Sequence, residues 1–151
     1  MWEQIITGQN LAYLGAAIAF FVAGLGSSKG VGLAGQTGAG VLTEDPSKFG
    51  SVMLLEALPS TQTIYGFVIA FLIIGKIDSS LTLADGFHYL LCGFPVGIVG
   101  WISAIWQGKV AASGVQLISK RPEALGSAIT LALMVEMFAI LSLITSILMI
   151  G

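Results

Sequence analysis

The sequence predicts an all-α membrane protein of four transmembrane helices, built as two tandem, parallel-duplicated hairpins. Three observations predict it. The 151 residues are 56% hydrophobic and only 9% charged, against roughly 25% charged in a soluble domain. Their mean hydropathy is +0.95, and three short polar breaks divide the chain into four long apolar stretches. The second half also repeats landmarks of the first.

At ~20 apolar residues per bilayer crossing, four helices with short connections use up the chain. Helix 1 is expected over about 10–41, helix 2 over 47–74, helix 3 over 85–119 and helix 4 over 122–150. Thr43–Lys48 reads as a turn whose Pro46 suits the first turn of helix 2. Ser119–Glu123, containing Pro122, is its counterpart before helix 4, and Gly75–Ser80 is a third break. The whole of 1–151 is then one membrane domain, with hairpins at about 10–76 and 85–151.

The repeat is legible in register. Pro46, Gly50 and Ser51 match Pro122, Gly126 and Ser127 at an offset of 76, and Val31–Gly35 matches Val110–Gly114 at 79. Two hairpins of the same orientation, fused in tandem, explain this. Inverted repeats of the kind found in many secondary transporters do not.

Helices 1 and 3 carry full-length stripes of small residues. Ala12, Ala16, Ala19, Ala23, Gly26 and Gly30 recur at helical spacing in one, and Gly97, Gly100, Ala104 and Gly108 in the other. Such stripes let backbones approach closely in lipid, as suits inner helices crowded around a tight axis. Helices 2 and 4 are richer in Leu, Ile, Met and Phe, as suits lipid-facing outer helices.

Charge placement predicts orientation. Lys29, Lys48, Lys109, Lys120 and Arg121 fall toward the 1–2 and 3–4 loops, and only Lys76 toward the opposite side. The positive-inside rule then puts those loops in the cytoplasm and both termini outside. Trp2, Glu3, Asp78, Asp85 and Tyr89 form an interfacial set on the outer side. The net charge of −2 is too small to suggest a nucleic-acid partner. The single cysteine, Cys92, excludes an internal disulfide and is too few for a metal cluster. The N-terminus has no basic n-region and no A-x-A-like cleavage site, so it reads as mature protein.

Two carboxylates, Glu56 and Glu136, lie within the apolar stretches. A charge at mid-bilayer costs ~2.5–3.5 kcal/mol on insertion scales, which makes it a functional candidate that needs a partner. Counting 1.5 Å per residue puts Glu136 ~21 Å down helix 4, Gln62 ~24 Å down helix 2 and Gln107 ~18 Å down helix 3. Three polar side chains thus share one level. Leu58, Thr61, Gln62 and Tyr65 are spaced to share one face of helix 2. Thr61 and Gln62 offer neutral oxygens, and Tyr65 a phenol to donate to Glu136. Pro59 deprives the Leu55 carbonyl of its helical partner and predicts a kink, a recurrent device beside membrane ion sites. One negative charge and several neutral oxygens describe a site for a monovalent hard cation.

Gln107–Ala112, the run Leu58-Pro-x-Thr-Gln-x-x-Tyr-Gly-Phe-Val-Ile-Ala-Phe71 and Met134-Val-Glu136 together resemble the rotor-ring proteolipid of V-type ATPases, closest to its bacterial sodium-pumping branch. The resemblance spans nearly the whole chain. It implies that Glu136 binds Na⁺, that Thr61, Gln62 and Gln107 add side-chain oxygens and Leu58 a backbone carbonyl, and that Tyr65 hydrogen-bonds the glutamate. It further implies about ten identical copies in a homo-oligomeric ring, with helices 1 and 3 as the inner wall and membrane lipid around it. That ring turns against an arginine-bearing stator subunit, with a central-stalk subunit at the cytoplasmic loops. The rotor proteolipid itself has no phosphate loop and catalyses nothing alone. A proton ring needs only the carboxylate, so the extra oxygens favour Na⁺, with H⁺ as the alternative. The other class of reading is a small dimeric secondary cation transporter.

Glu56 precedes Gln62 by six residues and so faces elsewhere. It is expected to play a structural or headgroup-level role. Lys29 and Lys109 are expected near the cytoplasmic ends of the inner helices, snorkelling to headgroups or bore lipid. His88 and Cys92 read as an interfacial histidine and a packed small residue. Trp106 is expected to fill a gap toward helix 2 or 4.

Overall fold

A computed structural model describes residues 6–151. The expected Trp2 and Glu3 contributions lie outside the described residues. Four apolar helices are long enough to span a membrane: α1 (Gly8–Glu44), α2 (Pro46–Ile74), α3 (Leu83–Lys120) and α4 (Pro122–Ile150).

Local chemistry fixes their ends. Thr7 caps α1 by accepting from the Asn10 N–H. The helix then runs through Glu44, three residues beyond expectation, so the first loop shrinks to Asp45. The Asp45 carboxylate accepts from both the N–H and the hydroxyl of Ser47. Asp45 (φ −142°, ψ 89°) and Arg121 (φ −138°, ψ 83°) adopt the same conformation, each followed by a proline-led 3-10 turn. The duplication is thus repeated in backbone geometry. Lys48 Nζ donates to the Ser119 carbonyl at 2.5 Å, tying the two loops together. At the other end, Thr82 and Asp85 form a reciprocal capping box for α3. Gln9 donates to the Asp78 carbonyl there, and Lys76 to that of Gly151.

Two helices are interrupted. In α2 a 3-10 turn over Leu58–Ser60 follows from Pro59, as expected. In α3 the helix breaks at Gly93, between Leu83–Cys92 and Phe94–Lys120. Pro95, in the first turn of the second segment, has no N–H for the preceding turn.

Helices α1 and α3 pack backbone to backbone. A Cβ on Gly26, Gly30, Gly93 or Gly108 would overlap backbone atoms of the facing helix, so only glycine permits this approach. The apolar core divides into two clusters. One, near the termini, holds Ala12, Ala16, Ile69, Ile73, Cys92 and Val96. The other, near the Asp45 and Arg121 loops, holds Val52, Leu55, Val115, Ile118 and Ala128. A polar layer lies between them. Phe67, Phe71, Leu131, Phe138 and Leu148 on α2 and α4 are exposed, as lipid-facing side chains are.

Some expectations change. Lys29 lies 15 residues before Glu44, ~22 Å from that end, so it sits nearer the middle of α1 than its tip. Lys109 lies over the Trp106 ring, 4.0 Å from its centroid. Trp106 turns toward α4, one of the two helices expected, where it is 55% exposed and lines an apolar groove with Phe138. His88 is exposed and Cys92 buried, as expected.

Candidate ion site

The polar layer is built from one residue on each of three helices plus a tyrosine. Its position follows from α2. The 3-10 turn at Pro59 resets the helix, and the α-helical run resumes at Thr61 with Gln62 in its first turn. Gln62 and Gln107 are fully buried and Glu136 is 5% exposed. Such groups are stable there only if hydrogen-bonded, and every one is: no buried side-chain N or O among the described residues lacks a partner.

The connections form one chain. Tyr65 Oη donates to Glu136 Oε1 at 2.5 Å. Gln107 Nε2 donates to Glu136 Oε2 and to the Ala132 carbonyl, each at 3.2 Å. Gln62 Nε2 donates to Gln107 Oε1 at 2.7 Å. The Thr61 hydroxyl donates to the Leu58 carbonyl at 3.0 Å and reaches Gln62 Oε1 at 3.4 Å. All six residues singled out in the sequence thus converge on one network that joins α2, α3 and α4. Both carboxylate oxygens are engaged by donors, which lowers the cost of an ionised group in this position.

Sequence inspection missed the serines that tie the helices together at this layer and toward the termini. Ser103 Oγ donates to the Val135 carbonyl, adjacent to Glu136. The Thr63 N–H donates to Ser27 Oγ, between α1 and α2. The Val96 N–H donates to Ser146 Oγ. A serine in a small-residue stripe reads as packing, and only the facing backbone group turns it into a bond.

No group of three or more His, Cys, Asp or Glu side chains able to hold a metal occurs among the described residues. The layer offers one carboxylate and neutral oxygens instead, suited to neutralising a single positive charge.

Comparison with known proteins agrees with the architecture. The profile of the ATP synthase C-subunit family matches the chain twice, at residues 14–73 and 90–149. The V-type sodium ATPase subunit K of Enterococcus hirae is 42% identical over 99% of this chain and 98% of its own length. The A-type ATP synthase subunit K of Methanocaldococcus jannaschii is 37% identical over 92% of this chain and 61% of its own. The 16 kDa proteolipid of the V-type proton ATPase of Nephrops norvegicus is 27% identical over 89% and 86%. The chain belongs to the ATP synthase C-subunit family, as a duplicated-hairpin rotor proteolipid of the V/A type. It is a ring-forming, ion-translocating component of a membrane ATPase and not its catalytic subunit.

Proposed function

On that family membership we propose that the ion carried is Na⁺, held at mid-membrane by Glu136. The carboxylate neutralises the charge. Gln107, Gln62 and Thr61 supply side-chain oxygens, Leu58 its carbonyl, and Tyr65 holds the carboxylate in place. The observation that carries this reading is the buried chain Tyr65–Glu136–Gln107–Gln62. A ring that carried only protons would not require two buried amides beside its carboxylate. The sodium ATPase relative supports the same ion.

The network supplies a loading step. Gln107 now presents Nε2 to Glu136 and Oε1 to Gln62. Turning the Gln107 amide over puts its oxygen toward Glu136 and an entering cation, while the Gln62 oxygen already lies beside the Thr61 hydroxyl. The Na⁺-loaded carboxylate is neutral and faces lipid at reduced cost. At the stator, an arginine competes for Glu136 and the ion leaves. Moving one charge through 100 mV requires ~2.3 kcal/mol, supplied by ATP hydrolysis elsewhere in the complex.

The assembly is a ring of about ten copies with α1 and α3 lining its bore and lipid around it. The whole of 1–151 acts as one membrane domain, with hairpins at about 10–76 and 85–151. Both termini face outside, and the Asp45 and Arg121 loops face the cytoplasm, where a central-stalk subunit docks. A proton-carrying ring is the second reading, favoured by the likeness to the proton ATPase proteolipid.

A hydrophobic carbodiimide, which attacks protonated carboxyls in membranes, tests the ion. Labelling is expected at Glu136, with protection by Na⁺ at fixed pH. Labelling indifferent to Na⁺ would reassign the site to protons.

A further inference from the structure

The helix that carries Glu136 presents one face away from the rest of the chain: Leu131, Met134, Met137 and Phe138 of α4 are exposed. On its inner side it rests on α3, and α3 is itself fixed at this level. Gly26 of α1 meets the Trp101 backbone, Gly30 meets the Ala104 carbonyl, and Gly108 meets Gly30, each too close to admit a Cβ. The stretch of α3 from Trp101 to Gly108 is thus locked to α1 and offers α4 a rigid support.

From that support two side chains reach the α4 backbone. Ser103 and Gln107 are four residues apart and share one face of α3. Ser103 Oγ donates to the Val135 carbonyl at 3.0 Å, and Gln107 Nε2 to the Ala132 carbonyl at 3.2 Å. Both carbonyls belong to the turn of α4 that leads into Glu136. Each also serves α4's own hydrogen-bond ladder and uses its second lone pair for α3.

The path taken by the Ser103 hydroxyl is not the local one. Hydroxyls elsewhere in the membrane helices turn back on their own backbone: Thr37 on Leu33, Ser113 on Lys109, Thr130 on Gly126 and Thr145 on Leu141. Ser103 has the Val99 carbonyl four residues back for the same use. It crosses to α4 instead, and it is 5% exposed there.

The two ties differ in what happens to them when an ion enters. Gln107 uses one nitrogen for both Ala132 and Glu136 Oε2. Presenting the amide oxygen to a cation withdraws that nitrogen and releases Ala132. The Ser103–Val135 bond involves none of the proposed ion ligands, so it persists. Without it, α4 would be free to shift on α3 just when the carboxylate must stay in place for the ion. Holding a ligand in its bound position in advance strengthens binding by lowering the cost of ordering it.

We propose that Ser103 is a positioning residue for ion exchange, which keeps the Glu136-bearing turn of α4 in register with α3 while Gln107 turns over. The inference rests on Glu136 as the ion carboxylate, and not on which ion it carries.

Intact rings test it in two ways. Val135–Glu136 is the one Val-Glu pair in the sequence. Carbonyl-¹³C valine combined with ¹⁵N glutamate therefore isolates the Val135 carbonyl in solid-state NMR. Ser103→Ala should move that signal. Filling the wild-type site, with Na⁺ or with H⁺ where Na⁺ does not bind, should leave it in place. A signal unmoved in Ser103→Ala, or moved as far by filling the site, would overturn the proposal.

The second measurement is radiosodium affinity. Ser103→Ala leaves Val135 its helical donor, so the ring should assemble, and affinity should fall by about three- to tenfold. Ser103→Thr keeps the hydroxyl, and the open apolar groove beside Ser103, Val99 and Phe138 has room for the added methyl. It should restore affinity to within about twofold of wild type. Ser146 also joins α3 to α4, by accepting from the Val96 N–H, but ten residues beyond Glu136, ~15 Å along the helix. Ser146→Ala should lower the dissociation temperature of the ring and leave affinity within about twofold. Unchanged affinity in Ser103→Ala, an equal loss in Ser146→Ala, or a threonine variant as weak as the alanine would each overturn the positioning role. Wild-type rings that bind no radiosodium would overturn only the sodium reading. The rate of carbodiimide labelling at Glu136 at fixed pH then takes the place of affinity, and should rise by a similar factor in Ser103→Ala but not in Ser103→Thr or Ser146→Ala.

Discussion

At Glu136 the two carboxylate oxygens are reached by donors from two other helices, Tyr65 on α2 and Gln107 on α3. These two donors differ in what depends on them. Tyr65 makes a single bond, and Tyr65→Phe removes it with little change in volume. A hydrogen bond to a charged group contributes ~1.5–3 kcal/mol, and Tyr65 is only half-buried. Radiosodium binding to purified rings should therefore weaken by about tenfold. Gln107 also holds the Ala132 carbonyl and accepts from Gln62. Gln107→Leu leaves several buried groups unpaired at once, and affinity should fall by more than about a hundredfold. Equal losses for the two variants would mean that the chain Gln62–Gln107–Glu136 does not act as a unit.

The elements are held by close approach and by caps. In α3, Gly108 meets the Gly30 backbone, and a methyl group there has no room. Gly108→Ala should push α1 and α3 apart at a cost of ~1–3 kcal/mol, read as a lower dissociation temperature of the ring in detergent. Gly32, with nothing near its would-be Cβ, should tolerate alanine without loss. At the loop, the hydrogen bonds from Ser47 hold the Asp45 carboxyl below its ordinary value of 3.8. A lowered pKa contributes stability that is present above the ordinary value and lost as pH falls through the lowered one. Ser47→Ala should bring Asp45 back toward 3.8, so that acid loosening of this loop, followed by carboxyl NMR titration, begins at higher pH. Helix identity and the Pro59 break were legible, since long apolar runs and a proline have local consequences. The Gly93 break was not, although Pro95 signals it, because helix 3 reads as one continuous apolar stretch.

For the whole molecule, the matching conformations at Asp45 and Arg121 and the double family match describe two copies of one unit. The first hairpin presents α2 to the second, and the second presents an outward face of α4, with Met134, Met137, Phe138 and Leu141 exposed among the described residues. A heterologous contact of that kind propagates until it closes. Native mass spectrometry of the purified protein should therefore give one closed ring of a single, fixed copy number above two. A dimer would instead fit the small-transporter reading.

By itself the sequence determined the number of helices, the duplication, the small-residue faces and the common depth of Gln62, Gln107 and Glu136. Each of these is a matter of composition or of counting along a helix, and a helix has fixed rise and periodicity. Only the tertiary structure decided which atoms meet. It gave Tyr65 and Gln107 to the two oxygens of Glu136, turned Ser27, Ser103 and Ser146 into bonds to facing backbone, and set Glu56 against Gly35. Contacts between helices depend on how each is rotated about its axis and how closely backbones approach. That is set by the packing of all four helices together, not by any one stretch of chain.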